Sequence, residues 1–192
     1  MYEEFRNSYM AAPFVFKNYV DLTTDEAIEV LKCRNDIEVR KWMTSTEEIP
    51  LENHLKYIEN LKTSENNFYW AVYVENDFLG GVSLVGLENL HASAGLFLNP
   101  KLIGTGLGIQ IAICSNDLFF RHLGIKSLHS IVKKDNKNAV QLNKFIGYTF
   151  LDSDSEFLPI EQTQETWMIK RKKLLKVAFG KNADEPVFVP LS

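Results

Sequence analysis

Three consecutive apolar segments in the middle of the chain are followed by a glycine-rich turn and a long apolar helix pattern. The segments Phe68–Glu75, Phe78–Leu87 and Ser93–Leu98 have the composition of strands and are separated by short turn sequences. Both alternating faces of the first segment are apolar, which indicates a strand covered on both sides. From Leu107 to Leu118 apolar residues recur at helical spacing. This order predicts an antiparallel meander whose third strand continues into a helix.

The remaining segments extend this pattern on both sides. Further strands are predicted at Phe14–Leu22, Leu128–Val132, Tyr148–Leu151 and Gln164–Lys170. Helices are predicted at Ala27–Lys32, Asn35–Trp42, Asn136–Ile146 and Leu174–Phe179, and in the segment that follows Pro50. The order predicts an α+β fold with a mixed, mostly antiparallel sheet of about six to seven strands and helices on both faces. We expect one domain over residues 1–173, followed by a C-terminal helix and tail over 174–192.

Composition excludes several classes of protein. The 192 residues carry a formal net charge of -4, which argues against nucleic-acid binding because that requires a basic surface. The two cysteines, Cys33 and Cys114, lie far apart with no zinc-binding spacing, so we expect reduced thiols and no metal. No segment approaches the roughly 20 apolar residues of a membrane span, and the first ten residues do not resemble a signal peptide. We therefore expect a soluble, cytoplasmic protein with no membrane partner. The sequence leaves a homo-oligomer open.

The glycine-rich turn has the chemistry of a phosphate site. Glycines at 104, 106 and 108 permit positive φ angles and close approach of a ligand to the backbone. The first turn of the following helix has unpaired N–H groups and the positive end of the helix dipole. The Thr105 hydroxyl is a possible further contact. The spacing matches neither a Walker loop nor a dinucleotide fingerprint. A tight strand-to-helix connection without a ligand is the alternative interpretation.

Two motifs resemble those of the GNAT family of N-acetyltransferases. Ile103–Gly108 resembles the family's Arg/Gln-x-x-Gly-x-Gly/Ala loop, which binds the diphosphate of an acyl-coenzyme A. Asn136–Tyr148 resembles the downstream motif Asn-x-x-Ala-φ-x-Leu-Tyr-x-x-x-Gly-Phe, in which φ is apolar. The resemblance extends over Phe14–Lys170 and implies the GNAT fold, with acetyl-CoA as cosubstrate. It also implies acetyl-CoA contacts at Leu96, Leu98, Ile103, Gly104, Thr105, Gly106, Leu107, Gly108 and Asn136.

Two positions depart from the family pattern. Ile103 replaces Arg or Gln, but we expect coenzyme A binding to persist because backbone amides supply most contacts in such loops. Asn143 replaces a tyrosine acid, and asparagine donates a hydrogen bond without giving up a proton. A thiol with a reference pKa of about 8.5 leaves without an acid at neutral pH. Ser83 is the other catalytic candidate that the resemblance implies, through a water chain, and a serine bonded to backbone is its alternative.

The N-terminal third resembles the acetyltransferases of pseudaminic acid biosynthesis, which acetylate the 4-amino group of a UDP-linked 4,6-dideoxy amino sugar. The resemblance rests on Arg34–Met43 and on His54–Leu61. It implies a nucleotide-sugar partner and four substrate-binding residues: Arg34, Asn35, Trp42 and His54. A guanidinium suits phosphate oxygens, and an indole stacks on a uracil or sugar face. A histidine bonds a phosphate or hydroxyl, or charges near pH 6–7.

Alternative interpretations remain open for the individual residues and for the function. In the helix after Pro50, the predicted apolar stripe excludes His54 and consists of Leu51, Leu55, Ile58 and Leu61. A surface ion pair for Arg34, a core position for Trp42 and a structural role for His54 are the competing interpretations. Ribosomal-protein N-terminal acetyltransferases share a string similar to Arg34–Met43. A peptide or polyamine acetyltransferase, or a non-catalytic acyl-CoA-binding module, are therefore the alternative functions.

Overall fold

The computed structural model describes residues 2–181 and 184–191, and nine strands in them form one sheet. The strands are β1 (Ser8–Ala11), β2 (Phe14–Asn18), β3 (Phe68–Val74), β4 (Asp77–Glu88), β5 (His91–Leu98), β6 (Ser127–Lys133), β7 (Thr149–Phe150), β8 (Phe157–Thr163) and β9 (Val189–Leu191). Their spatial order is β7-β8-β6-β5-β4-β3-β2-β1-β9. Neighbours pair antiparallel except β5 and β6, which are parallel. The predicted fold class is confirmed, and β1, β8 and β9 are additions to the predicted strands.

Six α-helices cover the two faces of the sheet in the described chain. They are α1 (Thr24–Asn35), α2 (Ile37–Arg40), α3 (Leu51–Leu61), α4 (Leu107–Asp117), α5 (Lys137–Ile146) and α6 (Gln164–Phe179). The start of α1 is fixed by a capping box in which the Thr23 and Glu26 side chains each bond the other residue's backbone N–H. The predicted end of α5 at Ile146 is confirmed, and Gly147 follows it with a φ of 102°, a left-handed conformation that favours glycine.

Strand β3 is buried on both sides, as its uniformly apolar sequence predicts. Trp70 and Val72 belong to the core beneath α4, α5 and α6, whereas Ala71 and Tyr73 belong to the core beneath α1 and α3. Trp70, Ala71 and Val72 are fully buried. Full burial of successive residues explains why this strand shows no polar alternation, since neither face meets water.

The predicted strand at Gln164–Lys170 is wrong, because these residues form the first two turns of α6. Thr163 caps the helix and bonds reciprocally with Thr166, which commits the chain to a helix immediately after β8. Trp167 and Arg171, four residues apart, are both buried. The helix continues to Phe179, so the predicted domain boundary at residue 173 falls inside it.

The C-terminal tail packs on the domain. Strand β9 pairs with β1 and extends the edge of the sheet. Phe188, just before it, is 6% exposed and contacts the rings of Tyr9, Phe16 and His122. The tail therefore contributes one aromatic side chain to the core and three residues to the sheet.

Candidate functional site

Strands β5 and β6 pair only over their first residues and then separate. Their parallel register includes only His91, Ala92 and Ser93 of β5. Beyond Ser93, β5 continues to Leu98 paired with β4, and β6 continues to Lys133 paired with β8. A wedge-shaped gap therefore opens between them, and the β5 edge over residues 94–98 lacks a neighbouring strand in the described structure. Such an edge offers N–H and C=O groups to an extended ligand.

The glycine turn lies where β5 leads into α4. Gly104 and Gly106 have φ angles of 85° and 86°, a region that favours glycine, and a Cβ at either would meet no described heavy atom within 4 Å. Gly108 is needed for a different reason, because a Cβ there would lie 2.6 Å from Leu98 Cδ1. Two of these glycines shape the loop and leave open space above it, and the third lets α4 pack against the end of β5.

Three backbone amides of this turn point to an anion site. The Leu107 N–H donates to Thr105 Oγ1 at 3.3 Å, and the Ile109 N–H donates to the Gly106 carbonyl at 3.1 Å. The N–H groups of Gly104, Gly106 and Gly108 have no hydrogen-bond acceptor among the described residues. We call these three N–H groups the amide cradle. Its donors lie at the positive end of the α4 dipole, so it suits a phosphate or diphosphate.

The flanking side chains of the turn contribute less than its backbone. The Thr105 hydroxyl donates to the Leu102 carbonyl at 2.8 Å while it accepts from Leu107, so it is used inside the loop. Ile103 is 56% exposed, which leaves an apolar side chain where the family pattern has a polar one. Leu96 and Leu98 are half-buried on the separated part of β5, where their backbone groups lie along the gap.

The motif residues on α5 bond to their own helix. Asn136 caps α5 by accepting a hydrogen bond from the Ala139 N–H at 3.1 Å. Asn143 is half-buried, and its Nδ2 donates to the Ala139 carbonyl at 2.9 Å. This bond uses one of the two N–H donors of the Asn143 amide.

Ser83 lies beside the separated part of β5. Its direct partner across the β4–β5 ladder is Gly95, and its partner on β3 is Tyr69. Tyr69 Oη accepts a hydrogen bond from Tyr57 Oη at 2.8 Å. Tyr57 is 41% exposed, so the row from Gly95 through Ser83 and Tyr69 reaches solvent. The sequence analysis did not identify the tyrosine pair, since residues 57 and 69 meet only when α3 packs on β3.

Arg34 and Trp42 lie on the α1 side of the gap. Arg34 is half-buried at the end of α1, and its Nη1 is buried without a hydrogen-bond partner in the described residues. Burial lowers the pKa of Arg34. Trp42 is half-buried with Lys41 Nζ 5.2 Å from its ring centroid, and Lys133 Nζ donates to the Lys41 carbonyl at 3.1 Å. This bond fixes the segment beside the end of β6, across the gap from β5.

Asn35 holds a loop. Its Nδ2 donates to the Ile49 carbonyl at 2.9 Å, and its Oδ1 accepts from the Ile49 N–H at 2.9 Å. The pair joins the end of α1 to the segment that leads into α3. These two bonds fix the loop next to Arg34, and the predicted substrate contact of Asn35 stays a prediction.

His54 is buried, and its predicted place outside the apolar stripe of α3 is wrong. It is 6% exposed and shares the buried face with Ile58 and Leu61, whereas Leu51 is 43% exposed. Burial lowers the pKa of His54 below its ordinary value, so the ring is neutral at pH 7. Its Nε2 has no hydrogen-bond partner in the part of the chain that is described.

Tyr19 connects these residues and was missed by the sequence analysis. Its ring lies 6.4 Å from that of His54 and 5.4 Å from that of Tyr69, measured between centroids. Burial strongly raises its pKa, so the hydroxyl is neutral. The signal for Tyr19 was its place in an aromatic segment, but that segment was interpreted as a single strand through Leu22. A short helical turn at Tyr19–Asp21 ends the strand at Asn18 instead.

The described residues contain neither an activated thiol nor a three-residue metal group. Both cysteines are buried, and burial raises the pKa of the Cys33 thiol to about 12 and that of Cys114 further. Neither is therefore an activated nucleophile. No group of three or more His, Cys, Asp or Glu side chains in the described chain is arranged to hold a metal ion. No described helix is long and apolar enough to cross a membrane.

Comparison with known proteins identifies similar sequences. A family model described as an acetyltransferase (GNAT) domain matches residues 19–149. Two proteins named acetyltransferase PseH, from two Campylobacter jejuni strains, are 27% and 29% identical to this chain. The first match spans 147 residues, 75% of this chain and 90% of that protein, and the second 141 residues, 73% and 88%.

Solved structures show the same fold. The Campylobacter jejuni N-acetyltransferase PseH in complex with acetyl coenzyme A superposes with a TM-score of 0.65 and 22% identity, covering 79% of this chain and 99% of that one. Spermidine N-acetyltransferase from Vibrio cholerae, in complex with CoA and spermine, has a TM-score of 0.72 and 12% identity, covering 82% and 99%.

Proposed function

The chain belongs to the acetyltransferase (GNAT) family, and we propose that it transfers the acetyl group of acetyl-CoA to the amino group of a nucleotide-linked amino sugar. N-acetyltransferase activity follows from the family. The observation that carries the donor side is the amide cradle beside the separated edge of β5. The sugar acceptor is supported by the similarity to PseH, by the resemblance of Arg34–Met43 and His54–Leu61 to the pseudaminic acid enzymes, and by the unpartnered Arg34 Nη1.

The donor side is built from backbone groups. The amide cradle at Gly104, Gly106 and Gly108 is suited to the diphosphate, since it presents three N–H donors and the helix dipole without a competing side chain. The β5 edge over residues 94–98 is suited to the pantetheine arm, which carries amide groups that pair with backbone. Leu98 packs beneath Gly108, so the two parts are held in a fixed relation. Replacement of a family Arg or Gln by Ile103 leaves all these donors in place.

Backbone N–H groups on the same edge of β5 also stabilise the reaction. The neutral amine attacks the thioester carbonyl directly, and the N–H groups receive the negative charge that develops on the carbonyl oxygen. Holding both reactants in the gap supplies proximity. Direct attack agrees with the state of the cysteines, because the described structure buries both thiols and raises their pKa values. No covalent enzyme intermediate is formed.

Ser83 and the tyrosine pair provide a path for the proton of the attacking amine. Ser83 is the side chain nearest to Gly95 in the gap, and Tyr69 and Tyr57 lead from it to solvent. Burial keeps the Tyr69 hydroxyl neutral by raising its pKa, so it relays a proton without holding a charge. The second N–H of the Asn143 amide is available to the leaving thiolate, which water then protonates.

The acceptor side uses three residues of different chemistry. Arg34 Nη1 has an unused donor, and a nucleotide diphosphate supplies the acceptor that it lacks. Trp42 presents a half-buried ring for a uracil or sugar face. His54 is a buried, neutral hydrogen-bonding group beside Tyr19, and its Nε2 has no hydrogen-bond partner among the described residues. Asn35 positions Arg34 through its two bonds to Ile49.

Thiol release from acetyl-CoA tests the acceptor assignment. The purified chain is incubated with acetyl-CoA and, separately, a UDP-linked 4-amino-4,6-dideoxy sugar, a peptide with a free N-terminus and spermidine. Release that depends on the sugar and is accompanied by an acetylated sugar in mass spectrometry supports the proposal. Release with only the peptide or spermidine overturns the sugar acceptor. Coenzyme A binding without release in any reaction overturns catalysis and leaves an acyl-CoA-binding module.

A further inference from the structure

A cavity separate from the gap lies beside α1. It has a volume of about 750 Å³ and lies between α1 and the strands β1, β2 and β3. Its charged and polar lining includes Lys17, Asp21, Glu26, Glu29, Tyr73 and Glu75. Strand β4 lies between its β3 wall and the unpaired edge of β5, since the sheet order runs β5-β4-β3-β2. None of the residues assigned to acetyl transfer above lines it.

The cavity is strongly acidic. Asp21, Glu26, Glu29 and Glu75 contribute four negative charges and Lys17 one positive charge, so the lining has a net charge of -3. Lys17 is already used, because its Nζ bonds both carboxylate oxygens of Glu26 at 2.7 and 2.8 Å. Glu29 and Glu75 form no ion pair with any described residue. Asp21 forms no ion pair among the described residues either. Three negative charges therefore remain uncompensated: Glu29 on α1, Glu75 after β3 and Asp21 after β2.

A buried hydroxyl in the lining also lacks a partner. Tyr73 is 6% exposed, and its Oη has no hydrogen-bond partner among the described residues. Burial raises the pKa of this hydroxyl, and the nearby charges of Glu26 and Glu29 raise it further. A buried polar atom without a partner is costly, and the cost is removed when a ligand supplies one. The hydroxyl oxygen accepts a bond from an N–H donor, as do the neighbouring carboxylates.

We propose that this cavity binds a linear organic cation with two or more ammonium groups. The uncompensated carboxylates come from three different parts of the chain, and they form no three-residue metal group in the described residues. A ligand with separated ammonium groups matches this distribution, because each group meets a different carboxylate. One ammonium binds Glu29 and Tyr73 Oη, and another binds Glu75. The site is independent of the nucleotide-sugar acceptor proposed above.

Calorimetric titration with 1,4-diaminobutane tests the site in the full chain without acetyl-CoA or sugar. We expect saturable binding with one site per chain. The double variant Glu29→Gln, Glu75→Gln should raise the Kd for the diamine by at least about tenfold, since it removes two negative charges close to the positive ammonium groups of the ligand. Tyr73→Phe should weaken binding by about threefold or more while the ring still packs against Phe78. The matched control is Glu65→Gln, Glu165→Gln, which removes the same charge at exposed positions outside the cavity. Thermal melts verify that every variant folds.

The outcomes separate this proposal from the acceptor assignment. Selective weakening in the cavity variants supports the site. Absence of saturable binding, or equal weakening in the control variant, overturns it and leaves any sugar acetylation untouched. If the diamine is itself acetylated and the cavity variants lose that turnover, the cavity is an acceptor site. That result supports cation binding in the cavity but overturns the sugar acceptor and the independence of the two sites.

Discussion

Gly95 on β5 lies directly opposite Ser83 on β4, so close that a Cβ on residue 95 would lie 2.5 Å from Ser83 Oγ. The absence of a side chain at Gly95 therefore makes room for the hydroxyl at the edge of the gap. The position of the Ser83 hydroxyl therefore depends on glycine at residue 95. In the proposed proton path, this hydroxyl is the group next to the reacting amine.

A double-mutant cycle tests this link. Ser83→Ala should lower kcat by about 10- to 100-fold, in the lower range for loss of a proton-transfer group. Gly95→Ala should lower kcat similarly, because the new methyl group displaces the hydroxyl. In the Ser83→Ala background, Gly95→Ala should add little, since the hydroxyl is already absent. The measurement is kcat at saturating acetyl-CoA for the four proteins. Fully additive losses would show that Gly95 and Ser83 act independently.

Arg34 is expected to affect acceptor binding. Arg34→Ala should raise the KM for the nucleotide sugar by about 10- to 100-fold and change kcat much less, because the guanidinium binds phosphate away from the reacting carbonyl. Lys32→Ala is the control, since it removes the same charge from an exposed position on α1. Steady-state kinetics with varied sugar give both constants. A fall in kcat at unchanged KM would contradict the assignment.

His54 should make the free energy of unfolding decrease as the pH is lowered. Burial lowers its pKa in the folded state, so the unfolded chain binds a proton more readily once the pH falls below about 6.5. Stability from this group is therefore complete above that pH and is lost as the pH decreases. His54→Gln should flatten the difference in unfolding free energy between pH 7 and pH 5.5. Urea unfolding at the two pH values measures it. A steeper dependence in the variant would reverse the expected sign.

A buried ion pair should dominate the stability of the C-terminal region. Asp117 is fully buried and accepts hydrogen bonds from Arg171 at 2.7 and 3.0 Å and from Trp167 at 3.2 Å. Asp117→Asn should destabilise the chain by about 3–5 kcal/mol, because the buried Arg171 loses its buried charge partner and keeps only the largely exposed carboxylate of Glu185. Asp152→Asn, at an exposed loop position, is the control. Urea unfolding compares them, and equal stability of the two variants would contradict this role.

The sequence predicted those elements whose signals are local. The meander β3–β5 and the glycine turn were identified from apolar runs and glycine positions, and the mixed, mostly antiparallel sheet followed from the order of the elements. Residues Gln164–Lys170 were mistaken for a strand because their pattern is ambiguous over seven residues. The helix is favoured by the cap at Thr163 and by the buried contact between Arg171 and Asp117. That contact joins residues 54 positions apart in the sequence.

In the candidate site, too, the residues with local sequence signals were predicted and those that depend on long-range packing were not. The backbone sites at Gly104, Gly106 and Gly108 were visible because glycine itself is the signal. His54 was predicted to lie outside the buried face of α3, because two overlapping sets of residues at helical spacing fit this helix. The packing of His54 near Tyr19 decides which of the two sets is buried. The Tyr57–Tyr69 pair and the unpartnered Arg34 Nη1 depend on how α1 and α3 dock on the sheet, which periodicity does not determine.

The affinity for acetyl-CoA of a Gly106→Asp variant tests the central claim most directly, with Gly124→Asp as its matched control. Both glycines have positive φ angles, 86° and 71°, and open space where a Cβ would lie, so both substitutions impose similar backbone strain. Only Gly106 belongs to the amide cradle, where the new carboxylate repels a diphosphate. Calorimetry should show the Kd for acetyl-CoA raised at least about a hundredfold in Gly106→Asp, and near the unsubstituted value in Gly124→Asp. A folded Gly106→Asp variant with unchanged Kd would contradict the assignment of the cradle to the acetyl-CoA diphosphate.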